Sequence, residues 1–125
     1  MTISIRVRDY SDNDISQIVA YQPLVAWDRR HEYPMLAHID RYGVTIFNGA
    51  QATTLREELE HVEALIIETG IDTAILRLGM EEMGSVSRID GFSVKTDMPE
   101  LIAEIKAMCT LTEAKPHRKM WFIGD

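Results

Sequence analysis

Leu55, Leu59, Val62 and Leu65/Ile66 recur every three to four residues between Gln51 and Gly70, the spacing that places apolar side chains on one face of an α-helix. Thr54 with Glu57 matches a capping box, and Gly70 is a natural stop, so a helix over 52–69 is predicted. A helix with a single apolar stripe must bury it against another layer. The flanking segments read as a sheet that can receive it. Ile3, Ile5 and Val7 alternate with Ser4, Arg6 and Arg8, a half-buried strand over 2–8. Met35-Leu36-Ala37-His38-Ile39 and Val44–Phe47 flank Asp40-Arg41-Tyr42-Gly43, which predicts a hairpin with strands near 35–39 and 44–48.

Residues 86–95 read as extended, and Lys119–Ile123 as a terminal strand buried on both faces. A last helix is expected over 97–113, opened by Asp97 with Glu100 and with Pro99 in its first turn; its stripe is Leu101, Ile102, Ile105, Met108 and Cys109. Ser11-Asp12-Asn13-Asp14 is rich in N-cap residues and precedes Ile15, Ile18 and Val19, so a short helix ending before Pro23 is expected. Residues 23–34 read as irregular. Residues 72–83 fit a helix or a strand, with the helix expected. The fold class is therefore α+β: one domain over 1–125, a mainly antiparallel sheet packed against two principal helices.

Composition narrows the function. The 125 residues are 46% hydrophobic and 26% charged, near the globular average. Thirteen Lys and Arg against 20 Asp and Glu give a net charge of −7, which argues against phosphate-backbone binding and hence against nucleic acid. Cys109 is the only cysteine, so no intramolecular disulfide can form. The N-terminal apolar stretch carries Arg6 and Arg8 and has no signal-peptide core, and no apolar run is long enough to span a bilayer. A cytoplasmic location without membrane contact is expected.

No catalytic or metal constellation is legible. His31, His38, His61 and His117 form no HExxH and no pair on adjacent helical turns. On the predicted hairpin, His38 and Asp40 share a strand face, the nearest approach to a ligand pair. Asp12-Asn13-Asp14 lacks the glycine and distal glutamate of a calcium loop. Glu104-Ile105-Lys106 after Asp97 has nuclease-like spacing, but on a helix positions two apart point about 200° away from each other. Cys109 lies on an apolar stripe, as a buried hydrophobe would. The chain is accordingly expected not to be an enzyme and to need no metal or cofactor.

Carboxylates do concentrate in one place. Glu57, Glu58, Glu60, Glu63 and Glu68 face the single Arg56, leaving residues 51–70 with a net charge of −4. One reading is a solvated helix face. The other is an electronegative docking surface, with Glu57, Glu58, Glu60 and Glu63 as partner-binding residues, because concentrated charge steers an oppositely charged protein and raises its on-rate.

Tyr33-Pro34-Met35-Leu36-Ala37-His38-Ile39-Asp40-Arg41-Tyr42-Gly43-Val44-Thr45-Ile46-Phe47-Asn48, with Gln51 and Leu55-Arg56-Glu57-Glu58-Leu59, resembles the middle of a group of small bacterial proteins patterned I-D-x-Y-G-D-T-x-F-N-x-x-Q. The terminal Phe122-Ile123-Gly124-Asp125 is similar to their closing F-I-G-D. Val44 stands where that pattern shows Asp. The resemblance implies a shared fold. In general character the chain resembles the immunity proteins of bacterial polymorphic toxins, which implies a toxin-neutralising binding protein whose partner is a basic toxin domain. The alternatives are a small enzyme or ligand-binding domain, with a pocket of Asp40, Tyr42, Asn48, Gln51 and Asp125 where the hairpin meets the helix, and a structural homodimer anchored by Trp27, Met80, Met83 and Trp121.

Overall fold

The last strand of the chain lies at the centre of its sheet. A computed structural model describes residues 2–21, 33–40, 42–77 and 94–124. In order these form β1 (Thr2–Arg8), β2 (Asp14–Tyr21), α1 (Pro34–His38), β3 (Val44–Phe47), α2 (Gly49–Thr69), α3 (Ile71–Arg77), α4 (Val94–Glu113) and β4 (Lys119–Gly124). The four strands run in the order β2-β1-β4-β3, every neighbouring pair antiparallel, so the α+β class stands.

The alternation in β1 fixes which face is covered. Ile3, Ile5 and Val7 are buried, and the register sets Phe122 opposite Ile5 and Met120 opposite Val7. Phe47 in turn lies opposite Met120, and its ring meets Phe122 edge-on with centroids 5.5 Å apart. Onto this face pack Ala52, Leu55, Leu59 and Val62 of α2 and Met98, Leu101, Ile102, Ile105, Met108 and Cys109 of α4, closing one apolar core. The other face carries Ser4, Arg6, Arg8, Trp121, Ile123, Val44 and Ile46. There the Arg8 guanidinium sits 4.6 Å from the Trp121 ring centroid, a cation–π contact.

Several local expectations are corrected. Residues 14–21 are a strand, not a helix. The polar cluster before them makes a hairpin turn: Asp9 Oδ1 accepts the N–H groups of Ser11 and Asn13, and Asp12 takes φ 60°. Pairing with the otherwise open side of β1 decides the matter, because Ile15, Ile18 and Val19 suit a strand as well as a helix. Residues 34–38 are helical where a strand near 35–39 was expected, with Pro34 preset for a first turn. The expected pairing of 35–39 with 44–48 is thus absent, and β3 pairs with β4 instead.

α2 begins earlier than expected. Asn48 caps it, its Oδ1 accepting from Gln51 N at 2.9 Å while Gln51 Oε1 accepts from Asn48 N at 3.0 Å. Thr54 instead donates its hydroxyl to the Ala50 carbonyl within the helix. The stop at Gly70 holds, at φ 83°. α4 likewise starts at Val94, so Asp97 is not its cap and Pro99 lies beyond the first turn. Residues 71–77 are helical as expected. Of the strand expected over 86–95, Val94 and Lys95 are helical and the rest lies outside the described residues, as does the segment 78–83. β4 buries only one face fully: Met120 and Phe122 are inside, whereas Trp121 and Ile123 are half-covered.

Candidate functional site

The carboxylates of α2 do not act as one surface. Glu58 is only 8% exposed, and its two oxygens accept from Met35 N at 2.9 Å and Leu36 N at 3.0 Å. These are orphan donors of the first turn of α1, so Glu58 serves as a side-chain cap from another helix. It therefore leaves the expected partner-binding set. Burial pushes its carboxyl above the ordinary range, opposed by the two N–H groups. Glu60 meets Arg56 at 2.6 Å, and Arg56 also grips Glu113 at 3.0 Å, tying α2 to α4. Those bonds hold Glu113 below the ordinary carboxylate range. Glu63 meets Lys106 at 2.5 Å across the same helix pair. Glu57 and Glu68 are exposed and make no ion pair among the described residues.

The Glu58 site yields a pH prediction. A carboxyl whose folded-state pKa lies above its unfolded value binds its proton more tightly when folded. Its contribution is fully present below the ordinary value of 4.5 and is lost as pH rises through the raised one. Wild type should therefore gain stability relative to Glu58→Gln as pH falls from neutrality toward that ordinary value. Glu113 contributes with the opposite sign, and to both proteins alike. Urea midpoints of the pair across that window check it, and a difference independent of pH would refute it.

Between α2 and α4 lies an open depression of about 230 Å³ lined by Glu63, Ile66, Ile67 and Pro99. Ile67 projects from the solvent side of α2 at 84% exposure, while Ile66 packs partly against the core. Lys106 already holds Glu63, so the lining offers aliphatic surface with a neutralised charge at its rim. Such a hollow receives an apolar group. It brings no nucleophile near a base. Cys109 also stays out of any chemistry: burial pushes its thiol up to about 12, and it faces Met120 inside the core.

The hairpin-to-helix residues are not brought together. Asp40 and Tyr42 precede β3, where Asp40 Oδ1 accepts from Tyr42 N. Asn48 and Gln51 follow β3 as the α2 cap. Four strand residues at about 3.3 Å each separate the two pairs. Asp125 lies outside the described residues. His38 and Asp40 share no strand face. His38 ends α1 with its ring over Phe47, and no group of three His, Cys, Asp or Glu suited to a metal occurs among the described residues. Near α1, the Tyr33 hydroxyl meets His61 Nδ1 at 3.0 Å, a contact between residues 28 apart that no local pattern announces. No helix among the described residues is long and apolar enough to cross a membrane.

Comparisons with protein-family models, with curated proteins and with solved structures found no match. What defines the chain is thus its own geometry: an antiparallel α+β sheet, a tied helix pair and an apolar hollow between those helices.

Proposed function

We propose that this chain is a toxin-neutralising, immunity-type binding protein of the bacterial cytoplasm, acting by protein–protein contact, and that its partner docks at the depression between α2 and α4. One observation carries the reading: Ile67, 84% exposed, stands beside an apolar hollow shaped by Ile66 and Pro99. Burying such a side chain against a partner is worth roughly 1.5–3 kcal/mol. An aliphatic centre within a charged rim is also the usual anatomy of an interface between separately folded proteins. The net charge of −7 favours a basic partner, and Glu57 and Glu68, exposed and without an ion pair among the described residues, carry the steering role.

Capture from the native host by wild type and by Ile67→Arg tests the reading, with the captured protein then expressed alone. The expected result is a basic protein that arrests growth by itself, is tolerated when wild type is co-expressed, and is neither captured nor tolerated with Ile67→Arg. Association with wild type should slow as salt rises, because the screening length falls from about 10 Å at 0.1 M to about 3 Å at 1 M. Reversing Glu57 and Glu68 to Lys should remove most of that dependence. Equal capture by Ile67→Arg would move the interface elsewhere, and a harmless partner would overturn the immunity role.

A further inference from the structure

The two edges of the sheet are not alike. β2 carries Asp14 and Gln17, and the register shift opposite Val7 and Arg8 leaves Ile15 as an extra residue, a bulge that twists the edge away. β3 has none of these protections. Its sequence, Val44-Thr45-Ile46-Phe47, holds no charge and no proline, and among the described residues it pairs on one side only. Gly124 N donates to Gly43 O at 2.8 Å, so alternation along the ladder turns Gly43, Thr45 and Phe47 toward β4. Val44 and Ile46 therefore direct their N–H and C=O groups to the open edge. Their side chains lie on the outer face and are 56% and 42% exposed. Among the described residues those backbone groups have no partner, and each side chain is covered only on the β4 side, by Ile123 and Trp121.

We infer that β3 is a homodimerisation edge, on which a second copy of this chain adds its own β3 antiparallel about a two-fold axis at Thr45. A two-fold pairing must match every outward-facing group with itself or with another outward-facing group. Centring on Thr45 does so. Val44 of each copy lies opposite Ile46 of the other, giving four main-chain hydrogen bonds, and Thr45 lies opposite Thr45 as a non-hydrogen-bonded pair. On the outer face the ladder sets Ile123 beside Val44 and Trp121 beside Ile46. The pairing thus continues one apolar row, from Ile123 and Val44 of one copy to Ile46 and Trp121 of the other, and repeats it about the axis.

Charge also selects this occupant. Asp40 precedes β3, and Lys119 starts β4 next to the far end of β3; both are exposed and neither makes an ion pair among the described residues. Antiparallel pairing sets the start of one β3 against the end of the other. The Asp40 end of each copy then meets the Lys119 end of its mate, twice. Two chains of net charge −7 thereby approach through an uncharged strand flanked by complementary charges. The α2–α4 depression takes no part, so this inference and the toxin-binding role stand or fall separately.

Sedimentation of the full chain should give twice the 14.3 kDa chain mass. Ile46→Pro removes an N–H that points only at the open edge, a position where an edge strand tolerates proline, so the sheet's own ladder is retained. It should weaken dimerisation by about a hundredfold or more, with circular dichroism unchanged. Thr45→Cys reads the register independently. Cα atoms of a non-hydrogen-bonded antiparallel pair lie about 4.5 Å apart, within disulfide reach, so mild oxidation should give a covalent dimer on a non-reducing gel. A wild-type chain that sediments as a monomer overturns the inference. So does a folded Ile46→Pro variant that stays dimeric, or a dimer in which Thr45→Cys does not cross-link; if Ile46→Pro fails to fold, the cross-link decides.

Discussion

Deleting residues 117–125 is expected to abolish cooperative unfolding, leaving a chain without fixed tertiary structure. Among the described residues β4 is the only strand paired with β3 and one of the two paired with β1, so its loss opens the sheet down the middle. It also takes away Met120 and Phe122, both fully buried on the helix-facing side, at roughly 1.5–3 kcal/mol each. Ile5, Val7 and Phe47, which they cover, are then exposed to water along one side. Domains of this size hold about 5–15 kcal/mol in all, and the combined loss is of that order. The near-ultraviolet dichroism of the truncated chain should be flat and its urea response gradual. In the intact chain, the β4 amides should be among the slowest to exchange. A truncated chain with a sharp urea transition would show that the sheet does not depend on its last strand.

The centrality of β4 is only half legible in the sequence. A compact apolar run, Met120-Trp121-Phe122-Ile123, announces a buried strand, but nothing local says that it inserts between β1 and β3. Period-two alternation in 2–8 and the 3.6-residue stripe in α2 were legible because each is a property of one segment facing one layer. The failures share a cause: a distant group overrode the local signal. β1 draws Asp14–Tyr21 into a hairpin, and Glu58, 22 residues away in sequence from Leu36, seats the first turn of α1. Two capping boxes competed at the start of α2, and Asn48 with Gln51 prevailed because the strand before it ends in extended backbone at Asn48.

Helical position separates the buried carboxylate of α2 from the exposed ones. Glu58 follows Leu55 by three residues and precedes Val62 by four, so it lies on the apolar stripe rather than among the solvated carboxylates. A charged residue on a buried stripe needs a partner, and that signal was available. Ile67 carries the converse signal. It follows Ile66 on the next position around the helix, off the stripe, where an aliphatic side chain has no core to enter. Glu60 was open to discount from sequence, because Arg56 stands four residues before it on the same helix, whereas the cation of Glu63, Lys106, comes from α4.

Replacing Phe122 by Ala is expected to cost about 3–5 kcal/mol, the largest effect of any single substitution proposed for this protein. The ring is fully buried in the central strand, and it meets the Phe47 ring edge-on at 65° and 5.5 Å. No neighbour can collapse into the vacated space cheaply. β1 and β3 hold the strand on both sides, while α2 and α4 close the face above it. The edge-to-face geometry adds about 0.5–1.5 kcal/mol beyond area burial, which a double-mutant cycle with Phe47→Ala isolates. The paired deletion should therefore cost less than the two single deletions summed. Val19→Ala, on the outer face of β2 and 58% exposed, should change stability by about 0.5 kcal/mol or less. Urea midpoints at constant m-value provide the test. A Phe122→Ala cost no larger than that of Val19→Ala would place the core elsewhere, and strict additivity with Phe47→Ala would remove the aromatic pair from its account.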